Sequence, residues 1–407
     1  MSLAQVALVG VFLFFPMKLG VANTLLALTL VLTIISGNFQ ERWAAVRENP
    51  ITIPALTMFA LIVVGASYSS GPIDAILQSL NKYSKFLFLL LAISLLGEDR
   101  WRQRCWLAFS AAMVFTLTSV YAGLWVHIPW AAVATPSGWG TDHTIFKDYI
   151  AQGLLLSTFA AYAITRSTEA STTRQKIIWI VLALLSVVSV LFLSSGRTGY
   201  LAVLGMLTAY AWVVVPKRLR FYALLASTAL ITVGLLSSPK AQSRIGSVFA
   251  EARAQIDSPG GMSRLNGETS IGARLSMWAF SIEQIKQRPI LGAGTGSYGS
   301  LARAECGDRP DCDVISVHPH NQFLFFGVEL GLIGLFAFCY YLYAAAKASA
   351  KLEPPRRALV LSFLTIFVVD SLTHGALWLA VENHLFTFIL ALLMAEISAA
   401  KNRSTLA

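Results

Sequence analysis

Residues 318–322 read His-Pro-His-Asn-Gln and run directly into the apolar stretch FLFFGVELGLIGLF (323–336). A lipid-facing helix has little use for imidazole, so two histidines at its threshold point to chemistry. Proline favours the first helical position. The spacing therefore predicts that Pro319 opens a helix, with His318 at the cap and His320 in the first turn. The positive end of a helix dipole acts against a cation by about 0.3–1 kcal/mol, and one pKa unit corresponds to about 1.36 kcal/mol. Such a dipole keeps an imidazole neutral, the state a general base needs to take a proton from an attacking hydroxyl. His320 is the candidate base, with His318 and Asn321 as accessory groups, Asn321 placed to orient the ring or a substrate. The plainer reading is a pair of interfacial histidines.

Arg197 and Arg274 are candidates for an anion. Arg197 lies in SSGRTGY, between two apolar runs, where arginine costs free energy unless it is paired or snorkelling. Its fork of donors matches phosphate geometry. Arg274, in GARLSMW, stands near the start of a predicted helix, and a helix N-terminus beside a guanidinium makes an anion site. Two arginines together would clamp a diphosphate and stabilise it as a leaving group. Read singly, the first is a membrane anchor and the second a solvated surface residue. Two acids interrupt apolar runs: Glu329, read as a structural hydrogen-bonding group, and Asp370, one helical turn before His374 and placed to pair with it.

The elements that position these groups are membrane helices. Of the 407 residues, 56% are hydrophobic and 13% charged, where a soluble domain carries about 25% charged. The pattern predicts an all-α polytopic bundle of about twelve spans, the ninth ending near 236 and the tenth starting near 321. The organisation expected is membrane helices over 1–237, a long outer segment over 238–320, and three more spans with a tail over 321–407. The N-terminal MSLAQVALVGVFLFF lacks the basic region and small-residue site of a cleaved signal peptide. Lys and Arg alternate by connection: seventeen fall in one set of six short segments, five in the intervening ones and nine in 238–320. The positive-inside rule then puts both termini in the cytoplasm and 238–320 outside, so the net charge of +10 implies no nucleic acid. All six histidines fall on the outer side.

Within 238–320, residues 241–256 and 272–288 read as helices, the first amphipathic, and 258–272 as a Gly-rich mobile loop. PILGAGTGSYGS (289–300) lacks the phosphate-loop Lys and reads as a tight turn where backbone meets a ligand or another helix. Cys306 and Cys312, in CGDRPDC, read as a disulfide, since zinc would need two further ligands nearby. A metal site on H-x-H lacks a third ligand at sensible spacing. A twelve-span transporter or flippase is the rival from another class, but the two halves show no internal repeat.

HNQFLFFGVELGLIGL (320–335) resembles the H-N-x-x-L…E-x-G-x-x-G-L signature of the O-antigen ligase and polymerase superfamily. SSGRTGYL (194–201) is similar to its S-x-R-x-x-x-L element, and R-x-x-x-W (274–278) to its arginine-bearing outer helix. The resemblance implies a glycosyltransferase of the bacterial inner membrane, working on the periplasmic face without metal, nucleotide or other cofactor. It implies His320 as catalytic residue and Arg197 and Arg274 as holders of an undecaprenyl-diphosphate-linked glycan. Inverting attack by an acceptor hydroxyl would release the lipid diphosphate. Length and span plan favour the ligase, which moves O-antigen onto lipid A–core in lipopolysaccharide biosynthesis, over the polymerase and the protein O-oligosaccharyltransferases.

Overall fold

The computed structural model describes residues 2–132, 136–139, 141–222, 224–225, 228–229, 232, 239–257, 269–307 and 318–406. Among them the regular elements are helices, with no strand. The chain opens with α1 (Ser2–Phe14) and α2 (Leu19–Ile35), then α3 (Phe39–Arg47), α4 (Thr52–Ser67), α5 (Ile73–Tyr83) and α6 (Lys85–Leu95). Long helices follow: α7 (Asp99–Ala122), α8 (Tyr149–Glu169), α9 (Thr173–Phe192) and α10 (Arg197–Val214). Then come α11 (Pro239–Asp257), α12 (Ser270–Gln287) and α13 (Tyr298–Cys306). The chain ends with α14 (Gln322–Ala348), α15 (Pro354–Thr373) and α16 (Ala380–Leu406). The all-α membrane architecture holds. A bilayer core of about 30 Å takes about 20 helical residues. By length and composition, α7, α9, α14 and α16 qualify among the described residues, and α2 with α3, bent by 115°, makes a fifth as a pair.

Burial sorts these helices. The apolar window of α16 is 83% buried, that of α9 only 28%. Exposed Ile177, Ile178, Val181 and Leu184 make α9 a lipid-facing helix, since apolar side chains this numerous have no reason to face water. Helices α12 and α13 are not set apart from the bundle: Met277, Phe280, Tyr298 and Ala302 belong to its main core.

The stretch 289–297 shows why α14 carries E-x-G. Gly292, Gly294 and Gly296 all have positive φ, and the loop threads between α4 and α14. Its backbone bonds to both: Ala293 N–H donates to Val328 O at 2.8 Å, and Thr295 N–H to Gly65 O at 3.1 Å. The Glu329 carboxylate accepts from Gly296 N–H at 2.9 Å, deep in the bundle. An irregular backbone at that depth must find every partner inside the protein, and Glu329 supplies one. Gly331 (φ 66, ψ −162) breaks α14, and Leu332 N–H turns to Pro289 O at 2.8 Å instead of continuing the helix. A Cβ there would collide with the Ile290 carbonyl and come within 2.7 Å of Leu291 N. The expected tight turn is therefore a helix-to-loop joint.

Two other expectations touch undescribed residues. Cys306 is disulfide-bonded while Cys105 and Cys339 are free, and Cys312 lies outside the described residues, as do 258–268 of the Gly-rich loop and much of the ninth span.

Gly331→Ala combines a left-handed φ with a backbone collision, so it should destabilise by more than about 2 kcal/mol. Gly20→Ala, with open space around it inside α2, should be neutral or slightly stabilising. Thermal unfolding of the two variants in detergent checks this; equal midpoints would contradict the joint.

Candidate active site

The site forms where one set of helix ends meets: the starts of α10, α14 and α16 and the end of α15. Asn321, not Pro319, caps α14, because its side-chain oxygen accepts from Leu324 N–H at 3.0 Å. The same side chain donates to Leu372 O at 3.2 Å, tying α14 to the last turn of α15. Asparagine outranks other caps because its short amide reaches an orphan N–H. Asn321 is thus an interhelical tie, with one amide hydrogen left over for the role of orienting a ring or substrate.

His320 therefore lies outside the helix, contrary to the first-turn placement, with φ at 50°. It shares positive φ only with Asn38 among the described non-glycine residues. For a side chain of this size that conformation is sparsely populated and marks functional sites. Two bonds hold it: His320 N–H donates to His318 Nδ1 at 3.1 Å, and Trp278 Nε1–H to Pro319 O at 3.0 Å. His318, accepting on Nδ1, carries its proton on Nε2 when neutral. Its role is to position the turn.

The rings converge. His320 stacks on His374 at 5.2 Å and 24°, and His318 lies 4.4 Å from His320. Burial, and next the Arg274 charge, pushes the His320 pKa down to about 4. His318 is pushed down too, by burial first and then by His320. His320 is thus neutral at pH 7, as a base requires, through burial more than through a dipole. Its Nδ1 is buried without a hydrogen-bond partner among the described residues. His374 Nδ1 faces Glu382 Oε1 at 3.6 Å and Asp370 Oδ1 at 3.8 Å. The Asp370–His374 neighbour relation was legible as a one-turn spacing. Glu382 was not, because the chain reverses between His374 and Ala380.

Arg197 is the first residue of α10, after Gly196, whose missing side chain lets the Tyr149 carbonyl approach. Asp142 anchors the preceding turn, accepting from Ser195 N–H at 3.1 Å and from the Ser195 hydroxyl. Arg197 lies 3.9 Å from Glu251 of α11, an acid the sequence did not mark out. Arg274, on α12, makes no hydrogen bond or ion pair among the described residues. Burial lowers its pKa first, and the charge of Arg197 lowers it further. Arg197 thus acts on Arg274, and Arg274 on His320. The structure brings the three together, with His318 in support and Asn321 behind. Such an arrangement can seat a polyanion at the guanidinium groups and offer a neutral imidazole beside it. Among the described residues, no group of three or more His, Cys, Asp or Glu side chains is placed to hold a metal.

Residues 180–339 match the family described as O-Antigen ligase. That span contains Arg197, Arg274, His320 and Glu329, so the resemblance carried by the two motifs holds there. A Rickettsia prowazekii protein named "Putative polysaccharide ligase RP358" is 29% identical over 157 residues, 36% of each chain. Its namesake RC0486 from Rickettsia conorii is 33% identical over 93 residues, 21% of this chain and 22% of that one. An uncharacterized Haemophilus influenzae protein is 28% identical over 153 residues, again 36% of each. The matches thus span about a third or less of these curated relatives' length.

If His320 is held in strain, His320→Gly should unfold at a higher temperature than His320→Ala. Both lose the ring, and only glycine relieves the φ, by about 1 kcal/mol. Identical midpoints would mean that the turn carries no strain.

Proposed function

We propose that this protein is a membrane glycosyltransferase of the O-antigen ligase type. It moves a glycan from undecaprenyl diphosphate to a sugar hydroxyl of lipid A–core. The observation that carries the reading is the placement of two guanidinium groups beside an imidazole. Glu251 lies 3.9 Å from Arg197 and accepts from Ile271 N–H at the start of the Arg274 helix. Trp278, one turn past Arg274, bonds to Pro319 O next to His320. The match of residues 180–339 to the O-Antigen ligase family supports it.

In this reading the donor's diphosphate lies across Arg197 and Arg274, relieving the repulsion between them. Among the described residues Arg274 makes no hydrogen bond or ion pair, which leaves its donors for bidentate contact. His320 Nε2 takes the proton from the acceptor hydroxyl as its oxygen bonds to the anomeric carbon. The bond from that carbon to the diphosphate oxygen breaks, and the arginines balance the charge left on the lipid diphosphate. Attack on the face opposite the leaving group inverts the anomeric centre. His374, stacked on His320 and faced by Asp370 and Glu382, stabilises the imidazolium that forms. By the charge bias of the loops, the site faces the periplasm of the inner membrane, with segment 238–320 on the same side and both termini in the cytoplasm.

A ligase-deficient Gram-negative strain that still makes lipid-linked O-antigen provides the test. The wild-type chain should restore the lipopolysaccharide ladder and His320→Ala should lose it, with His318→Ala retaining part. No ladder from well-expressed wild type in a host with a matching core would favour polymerisation instead. Arg197→Lys should lower transfer by at least about tenfold, because an ammonium cannot replace a bidentate fork. With the free His320 pKa near 4, the base stays unprotonated well below pH 6.5. The acid limb of kcat/KM should therefore fall near pH 4 to 5, and a midpoint at 6.5 would remove His320 as the buried base.

A further inference from the structure

A second cationic feature lies across Trp378 from the histidines. Asn81, Lys82 and Lys85, with His384, form the polar end of a cavity of about 450 Å³ between α2 and the α5–α6 junction. Lys82 Nζ donates to Trp378 O at 2.6 Å and sits 4.4 Å over the Trp378 ring. One ammonium bond is thus spent and two donors remain. Lys85 Nζ has no hydrogen bond or ion pair among the described residues, and its near neighbour is the face of Phe88, 5.2 Å to the centroid. No Asp or Glu lines the cavity. The His384 Nδ1 bonds to Ala380 O at 2.6 Å, and Nε2 is buried without a partner.

The opposite wall is mainly apolar: Leu26, Ala27 and Leu30 share one face of α2 with Asn23, and Phe88 adds an aromatic face from α6. Ala27 and Leu30 are exposed at the outer surface of the bundle, so this end of the cavity meets the lipid. Two cations in a cavity that no acid lines are costly at a membrane boundary, and the Glu382 charge acts on Lys82 only from outside it. A ligand that matches both ends has an anionic head and a hydrocarbon chain. Charge count narrows the head: a phosphate diester carries one negative charge, whereas a phosphomonoester carries about −1.5 to −2 at pH 7. Two lysines match the latter.

We propose that this cavity binds the phosphomonoester headgroup and upper chain of a membrane lipid. The site is separate from the arginine pair and does not depend on the proposed transfer reaction. Trp378 couples it to the histidines, with its ring 6.5 Å from that of His318.

Native mass spectrometry of the detergent-purified full chain tests this with dioleoyl phosphatidic acid, phosphatidylglycerol and phosphatidylcholine as probes. Phosphatidic acid should bind best and phosphatidylcholine least. Lys85→Gln should lower phosphatidic acid occupancy about tenfold, the loss of a charge-assisted contact. Ala27→Trp, which fills the chain end and leaves both lysines, should lower it comparably. Arg274→Gln should leave it unchanged, and inorganic phosphate at the same concentration should not displace it. Equal binding of phosphatidic acid and phosphatidylcholine would overturn the proposal. So would sensitivity to Arg274→Gln instead of Lys85→Gln, which would place the lipid at the arginines. Full displacement by inorganic phosphate would make the cavity a soluble-anion site and overturn it as well.

Discussion

Like charge held close to like charge is the constraint on which this site depends. Arg197 and Arg274 come from helices far apart in sequence, and each lies in the other's field. Glu251 approaches Arg197 to 3.9 Å, and Arg274 makes no hydrogen bond or ion pair among the described residues. An arrangement of this kind is stable enough to keep only if the fold holds it and a ligand relieves it. The same positive field, added to burial, keeps His320 neutral. In the proposed reading, one electrostatic arrangement prepares both an anion seat and a proton acceptor.

Rigid parts placed around the site keep these groups from drifting apart. The loop 289–297 and the break at Gly331 lock α14 against α4, with Glu329 satisfying the loop's backbone. Asn321 locks the start of α14 to the end of α15. Because α14 is fixed at its start and at its Gly331 break, the strained turn at His320 has little room to relax. The strain is offset by the bond that His318 accepts from His320 N–H and the one that Trp278 donates to Pro319 O.

Much of this was legible in the sequence, for definable reasons. Hydropathy and loop charge are one-dimensional signals, so the helical membrane class and the arginine and histidine candidates could be read directly. Glu329 also read correctly as structural, since one acid in an apolar run must find a partner. The cap was misread because Pro319 and Asn321 both signal a helix start, and only the bond from Leu324 N–H to the Asn321 side chain shows which one the chain uses. Glu251 and Glu382 were invisible for a different reason. Each reaches the site through tertiary packing, and no local spacing links Glu251 to Arg197 or Glu382 to His374.

The central claim is that the arginines hold the donor while the histidine activates the acceptor. The direct measurement is donor binding and glycan transfer on one preparation of purified His320→Ala. Binding of a polyprenyl-diphosphate-linked glycan should stay within about twofold of wild type, while transfer falls by about 10²–10⁴, the range of a lost general base. Transfer that survives the substitution at comparable rate would contradict the account.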